Sequence, residues 1–187
     1  MTWGPCGKAD PPLATVSPLT MAPPGDTVDA AGVADPFAFR IATNISTACA
    51  VLPDGRISCW GSDLDGVLGD GTVDNSPGPV LVNGVQDALA VGLSNGAYTS
   101  TACALRKNGK VACWGGNAHG ELGDGTTRRA TSPVEVQGIS DAEAVFAGSA
   151  YTCVRRAGGA LVCFGDSQFG QLGTDHGFLA PTTVKLP

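Results

Sequence analysis

The chain has 187 residues, of which 27 are Gly and 13 are Pro while only 15% are charged; this describes a turn-dense globular protein of many short strands and excludes a helical bundle or a disordered tail. A formal net charge of -6, with basic pairs at Arg128-Arg129 and Arg155-Arg156, excludes the clustered basic footprint of a phosphate-backbone binder. No apolar run approaches the ~18 residues of a membrane span, and Met1-Thr2-Trp3-Gly4-Pro5-Cys6 lacks the basic-then-apolar order of a secretory signal.

In chain order, the sequence repeats itself. Trp3-Gly4, preceded by Thr2, foreshadows a triplet that returns as Cys59-Trp60-Gly61, as Cys113-Trp114-Gly115 and, with phenylalanine, as Cys163-Phe164-Gly165. Pro18 to Val33 reads as a long connection into the first complete unit. Thr47-Ala48-Cys49-Ala50-Val51 then opens that unit and recurs as Thr101-Ala102-Cys103-Ala104-Leu105 and as Tyr151-Thr152-Cys153-Val154-Arg155. A glycine block follows each triplet: Gly66-Val67-Leu68-Gly69-Asp70-Gly71, Gly120-Glu121-Leu122-Gly123-Asp124-Gly125 and Gly170-Gln171-Leu172-Gly173-Thr174-Asp175. The period is roughly 50 residues, which suits one blade of a β-propeller and is too long for a helix-pair repeat. The predicted limits are residues 1–17 for the end of a preceding repeat and a linker, 18–72 for the first repeat, 73–126 for the second, and 127–187 for the third. Ala180-Pro181-Thr182-Thr183-Val184 reads as the opening of a further unit.

Between the paired cysteines lies a predicted hairpin whose turn is Pro53-Asp54-Gly55, Lys107-Asn108-Gly109 or Ala157-Gly158-Gly159. A three-residue loop closed by a left-handed Gly55, Gly109 or Gly159 sets Cys49 opposite Cys59, Cys103 opposite Cys113 and Cys153 opposite Cys163. A two-residue Asn-Gly turn would instead set Cys103 opposite Trp114; proline at position 53 favours the longer loop. Alternation sends Cys103, Leu105, Val111 and Cys113 to one face, and Ala102, Ala104, Ala112 and Trp114 to the other. Both faces are apolar, so the hairpins are expected between stacked sheets, with Trp60, Trp114 and Phe164 filling the space between blades.

The step between paired cysteines is not the close Cys-x-x-Cys spacing of zinc or thioredoxin-like sites. Opposed strand positions allow either three cross-strand disulfides or three pairs of buried thiols, and bridging, the favoured reading, implies an oxidising compartment. Cys6 has no partner in the repeat. The isolated Gly-Asp-Gly blocks read as turns rather than calcium loops, which arrive as tandem nonapeptides. His119 and His176 form no catalytic pattern, and no nucleophile elbow, phosphate loop or metalloprotease helix is present. Asn44-Ile45-Ser46 is a glycosylation sequon, meaningful only in a secreted eukaryotic setting. No cofactor and no catalysis are expected.

The Cys-Ala-Leu, Gly-Lys-Val, Cys-Trp-Gly, Gly-Glu-Leu-Gly-Asp-Gly and Ser132-Pro133-Val134 elements resemble the repeat of the regulator of chromosome condensation family, in a cysteine-rich version similar to bacterial members. The resemblance spans about residues 40–187. It implies an all-β, partial propeller of about three four-stranded blades with flanking half-blades, offering loops to protein partners. Asp63, Asp65, Asp74, Arg128 and Arg129 lie in the atypical loops and are the candidate contacts. Relatives of this kind also suggest two alternatives: nucleotide exchange on a small GTPase, or inhibition of a secreted enzyme. Because the pattern starts and stops within a unit, the chain reads as a piece of a longer protein or as one of two copies that close a ring together.

Overall fold

The computed structural model describes residues 41–96, 100–174 and 176–184, and twelve strands there form three four-stranded antiparallel sheets. The first contains β1 (Ile41–Thr43), β2 (Thr47–Val51), β3 (Ile57–Gly61) and β4 (Ser76–Leu81), paired in that order. The second contains β5 (Ala88–Leu93), β6 (Thr101–Arg106), β7 (Val111–Gly115) and β8 (Ala130–Glu135). The third contains β9 (Ala142–Ala147), β10 (Tyr151–Arg156), β11 (Leu161–Gly165) and β12 (Phe178–Thr183). Each sheet is an up-and-down meander, and the sheets stack in sequence, β5 lying on β1 and β2, and β9 on β5 and β6. This is the construction of a partial β-propeller.

The cysteine-bounded hairpins set the register. Cys49 faces Cys59, Cys103 faces Cys113 and Cys153 faces Cys163, and each pair is a disulfide. In the first turn the Leu52 amide donates to the Arg56 carbonyl at 2.7 Å, and Gly55, at φ 83°, donates back to the Leu52 carbonyl at 2.9 Å. Arg106, Lys110 and Gly109 repeat the arrangement. The third turn is a short 3-10 turn, Ala157–Gly159, in which Gly158 and Gly159 are both left-handed.

Stacking explains why these hairpins are apolar on both faces. Ala102, Ala104 and Trp114 of the second sheet share a core with Cys49, Ile57, Cys59 and Leu68 of the first. From the opposite face Cys103, Leu105, Val111 and Cys113 share a core with Val154, Val162 and Phe164 of the third. At roughly 1.5–3 kcal/mol for each large aliphatic or aromatic side chain removed from water, these junctions are the main source of cohesion. Proline enters every fourth strand, as Pro79, Pro133 and Pro181. Each of these strands pairs on one side only, where a missing amide proton is tolerated.

Sheet limits fall at a different phase from the sequence repeats: the first sheet crosses the predicted boundary after residue 72 and the second crosses that after residue 126. Residues 180–183, read as the start of a further sequence repeat, lie in the strand that closes the third sheet, just as residues 132–134 of the third predicted repeat lie in the strand that closes the second. Phe178–Thr183 is β12, the outer strand of the third sheet, with Thr182 opposite Cys163 as Val134 is opposite Cys113. Trp3-Gly4, Cys6, the connection from Pro18 to Val33 and the expected leading half-blade lie outside the described residues.

Candidate functional site

At one end of each sheet, a glycine-rich loop joins the third strand to the fourth. Three residues beyond the aromatic of each triplet stand Asp63, Asn117 and Ser167, all buried. Each accepts the amide proton of a buried leucine: Leu68 donates to Asp63 Oδ1 at 2.7 Å, Leu122 to Asn117 Oδ1 at 2.9 Å and Leu172 to Ser167 Oγ at 3.3 Å. The leucine is thereby pinned into the core while the chain turns outward.

Beyond it the first two loops share one frame. Asp70 Oδ1 accepts both the amide and the hydroxyl proton of Thr72 at 2.9 Å, and Asp124 Oδ1 does the same for Thr126 at 2.9 Å. The threonine hydroxyl oxygen then accepts the amide of Asp74 in one loop, at 3.3 Å, and of Arg128 in the other, at 3.2 Å. Asp74 and Arg128 therefore occupy equivalent exposed positions with opposite charge, and Arg129 is exposed beside Arg128.

Other expected contact residues behave differently. Asp63 points inward and is 1% exposed, so it shapes its loop instead of presenting a carboxylate to a partner; burial raises its pKa above the ordinary value, and the charges of Asp70 and Asp74 push the same way. Asp65 is half-buried and holds a left-handed backbone, φ 64°. At the opposite end of the sheets, exposed Asp54 has a lowered pKa because it accepts hydrogen bonds from the Arg56 backbone and side chain.

The loops also carry the junctions between blades, through Gly69 and Gly123, to which the sequence pattern assigned no such role. Trp114 is fully buried, donates its indole proton to the Val67 carbonyl at 2.8 Å and lies flat against Gly69, where an added Cβ would come within 2.6 Å of the indole nitrogen. Phe164 takes the same place on Gly123. Trp60, by contrast, is half-buried, and Gly173, the counterpart of Gly69 and Gly123, is exposed. The signal was present as a Gly-x-Leu-Gly block recurring after every aromatic triplet, although only the coordinates show that its last glycine receives the ring of the following unit.

Elsewhere, ion pairs link neighbouring elements, as in Arg106–Asp87 at 2.7 Å and Arg156–Asp141 at 2.6 Å. Glu121 is 1% exposed and accepts the His119 amide at 2.7 Å through one oxygen. Asn44 is half-buried, its side-chain oxygen accepting the amides of Ser46 and Thr47 and its amide donating to the Ser94 carbonyl at 3.1 Å. Among the described residues no three His, Cys, Asp or Glu side chains are grouped so as to hold a metal ion, and no helix is long and apolar enough to cross a membrane.

Two models of the "Regulator of chromosome condensation (RCC1) repeat" match this chain, over residues 108–155 and 143–171. Residues 108–171 of this chain thus match the RCC1 repeat. The RCC1 domain-containing protein RUG3, mitochondrial, of Arabidopsis thaliana is 32% identical over 102 residues, which is 54% of this chain and 22% of RUG3. Among solved structures, human WBSCR16 superposes with a TM-score of 0.66 at 20% identity, covering 78% of this chain and 38% of WBSCR16. The yeast RCC1 protein Prp20, solved with Kap60 bound, gives 0.61 at 19% identity, covering 78% and 36%. These RCC1 likenesses concern the fold, and this chain spans little more than a third of either structure.

Proposed function

We propose that this RCC1-repeat chain is a non-catalytic, protein-binding propeller segment that contacts its partner through the tips of the β3–β4 and β7–β8 loops. The observation that carries the proposal is the equivalence of Asp74 and Arg128: one hydrogen-bonded frame displays opposite charges at the same exposed position. A frame of that kind, set on a rigid sheet, is how loop variation yields selectivity without altering the fold. Capture of Kap60 by Prp20 supports a protein partner by analogy. The three disulfides favour an oxidising compartment, and with it a partner found there rather than a cytosolic GTPase.

The test is affinity capture with the full chain, its Asp74→Lys and Arg128→Glu/Arg129→Glu variants, and an Asp54→Lys control at the other end of the sheets. The proposal expects a captured protein to be lost from the loop variants and kept by the control. Equal retention by all of them would refute it, and acceleration of nucleotide release from a small GTPase would support exchange activity instead.

A second reading concerns assembly. Trp60 is only half-buried and Gly173 is exposed, so the Trp60 ring of one copy could rest on Gly173 of another, reproducing the Trp114–Gly69 contact and closing a ring as a homodimer. A further blade of a longer chain would satisfy the same surfaces within one molecule. Light scattering separates these: twice the chain mass, reduced to the chain mass by Gly173→Val, supports the dimer, and a stable monomer of the unmodified chain removes it.

A further inference from the structure

Asp63 is buried, yet its Oδ2 has no hydrogen-bond partner. Its counterparts in the other two sheets show what that position requires. Asn117 uses its oxygen for Leu122 and its amide group to donate across the loop, to the Thr126 carbonyl at 3.1 Å and the Arg128 carbonyl at 3.0 Å. Ser167 donates to the Thr174 carbonyl at 2.6 Å. A donor therefore closes the loop in both. Asp63 reproduces the accepting half of the arrangement, through Leu68, and as a carboxylate it has no proton for the giving half. The Thr72 hydroxyl is beside Asp63 and its hydrogen bonding favours the carboxylate, but that hydroxyl also donates to Asp70 at 2.9 Å, so it does not replace the donation across the loop that Asn117 makes.

We propose that Asp63 is a proton-operated latch on the β3–β4 loop: as the carboxylic acid it donates across the loop as Asn117 does, and as the carboxylate it leaves the loop tip, residues 72–75, held only by the Asp70–Thr72–Asp74 bonds and by the Asn75 side-chain oxygen, which accepts the Asp63 amide at 2.8 Å. The proton comes from solvent and adds to Oδ2, and the only bond made or broken is that O–H bond. The charged groups acting on Asp63 are Asp70 and Asp74 of its own loop, and both oppose ionisation. Its other close neighbours, Leu68, Thr72 and Asn75, are uncharged, and across the blade junction the loop meets the uncharged Thr131 and Trp114. Folding of the loop raises the pKa of Asp63 above its ordinary 3.8, so the latch contributes fully below that value and is released as pH rises through the folded-state value. The inference concerns the loop itself and holds whatever the loop contacts.

The test is NMR of the full chain with labelled aspartate carboxyls, combined with amide exchange corrected for intrinsic rates. Asp63 is expected to titrate above 3.8, and the amides of Leu68 and residues 72–75 to gain protection on acidification, about tenfold for each unit by which the midpoint is raised. In Asp63→Asn those amides should be protected at neutral pH to at least the acid level and lose their pH dependence, while Asn117→Asp should create the same dependence in the second loop. Titration of Asp63 at or below 3.8, or protection unchanged by pH in the unmodified chain, would overturn the latch. So would calcium at neutral pH restoring the protection, since a bound cation would then be doing the work of the proton.

Discussion

Trp114 and Gly69 meet face to face across the first blade junction, with the indole proton held by the Val67 carbonyl at 2.8 Å. Gly69 has φ 72°, so a side chain there would be strained in its backbone and would also displace the ring. Replacing Gly69 by Ala should destabilise the fold by about 3 kcal/mol, combining left-handed strain with overpacking. Trp114→Phe should cost about 2 kcal/mol, because a buried carbonyl loses its donor and a smaller ring leaves a void. Urea unfolding midpoints check both, and Phe164→Leu provides a parallel at the second junction.

The hairpin glycines should divide into two groups. Gly109 is left-handed, and a Cβ there would sit 2.5 Å from the Ser140 carbonyl oxygen in the connection to the next blade. Gly159 is left-handed too, but nothing lies within 4 Å of its would-be Cβ. Gly109→Ala should therefore lower stability by about 3 kcal/mol and Gly159→Ala by only about 1 kcal/mol. Equal losses in chemical denaturation would show that the turn, rather than the junction behind it, makes the demand.

Reductant should open the three disulfides in order. Cys49, Cys59, Cys103 and Cys113 are 0% exposed beneath neighbouring sheets, whereas Cys153 of the third sheet is half-buried. Thiol exchange requires access to a sulfur. Mass spectrometry after graded reduction and alkylation should find Cys153 and Cys163 labelled first. Simultaneous labelling of all six would mean that the stack opens as a whole before any bond is exchanged.

Much of this architecture was legible because its information is local. Pro53 and the glycines at 55 and 109 specify the turns, the turns specify the opposed cysteines, and strict alternation from there assigns Trp114 and Cys113 to opposite faces. The fourth strand was harder to read, because it returns to the third across a long loop with no short turn to mark it, and Ala180-Pro181-Thr182 consequently looked like a beginning. Asp63 was misplaced for a related reason. A charged residue among loop residues suggests solvent, and only the bond from Leu68 and the parallel with Asn117 reveal an inward role. The contact of Trp114 with Gly69 joins different repeats, so no spacing within one repeat could disclose it.

The central claim is that successive blades lock by seating an aromatic ring on the preceding blade's loop glycine. Proton NMR of the folded chain measures this directly: the account predicts cross-relaxation from the Trp114 indole to the α-protons of Gly69 and from the Phe164 ring to those of Gly123. A well-dispersed spectrum lacking both contacts would contradict it.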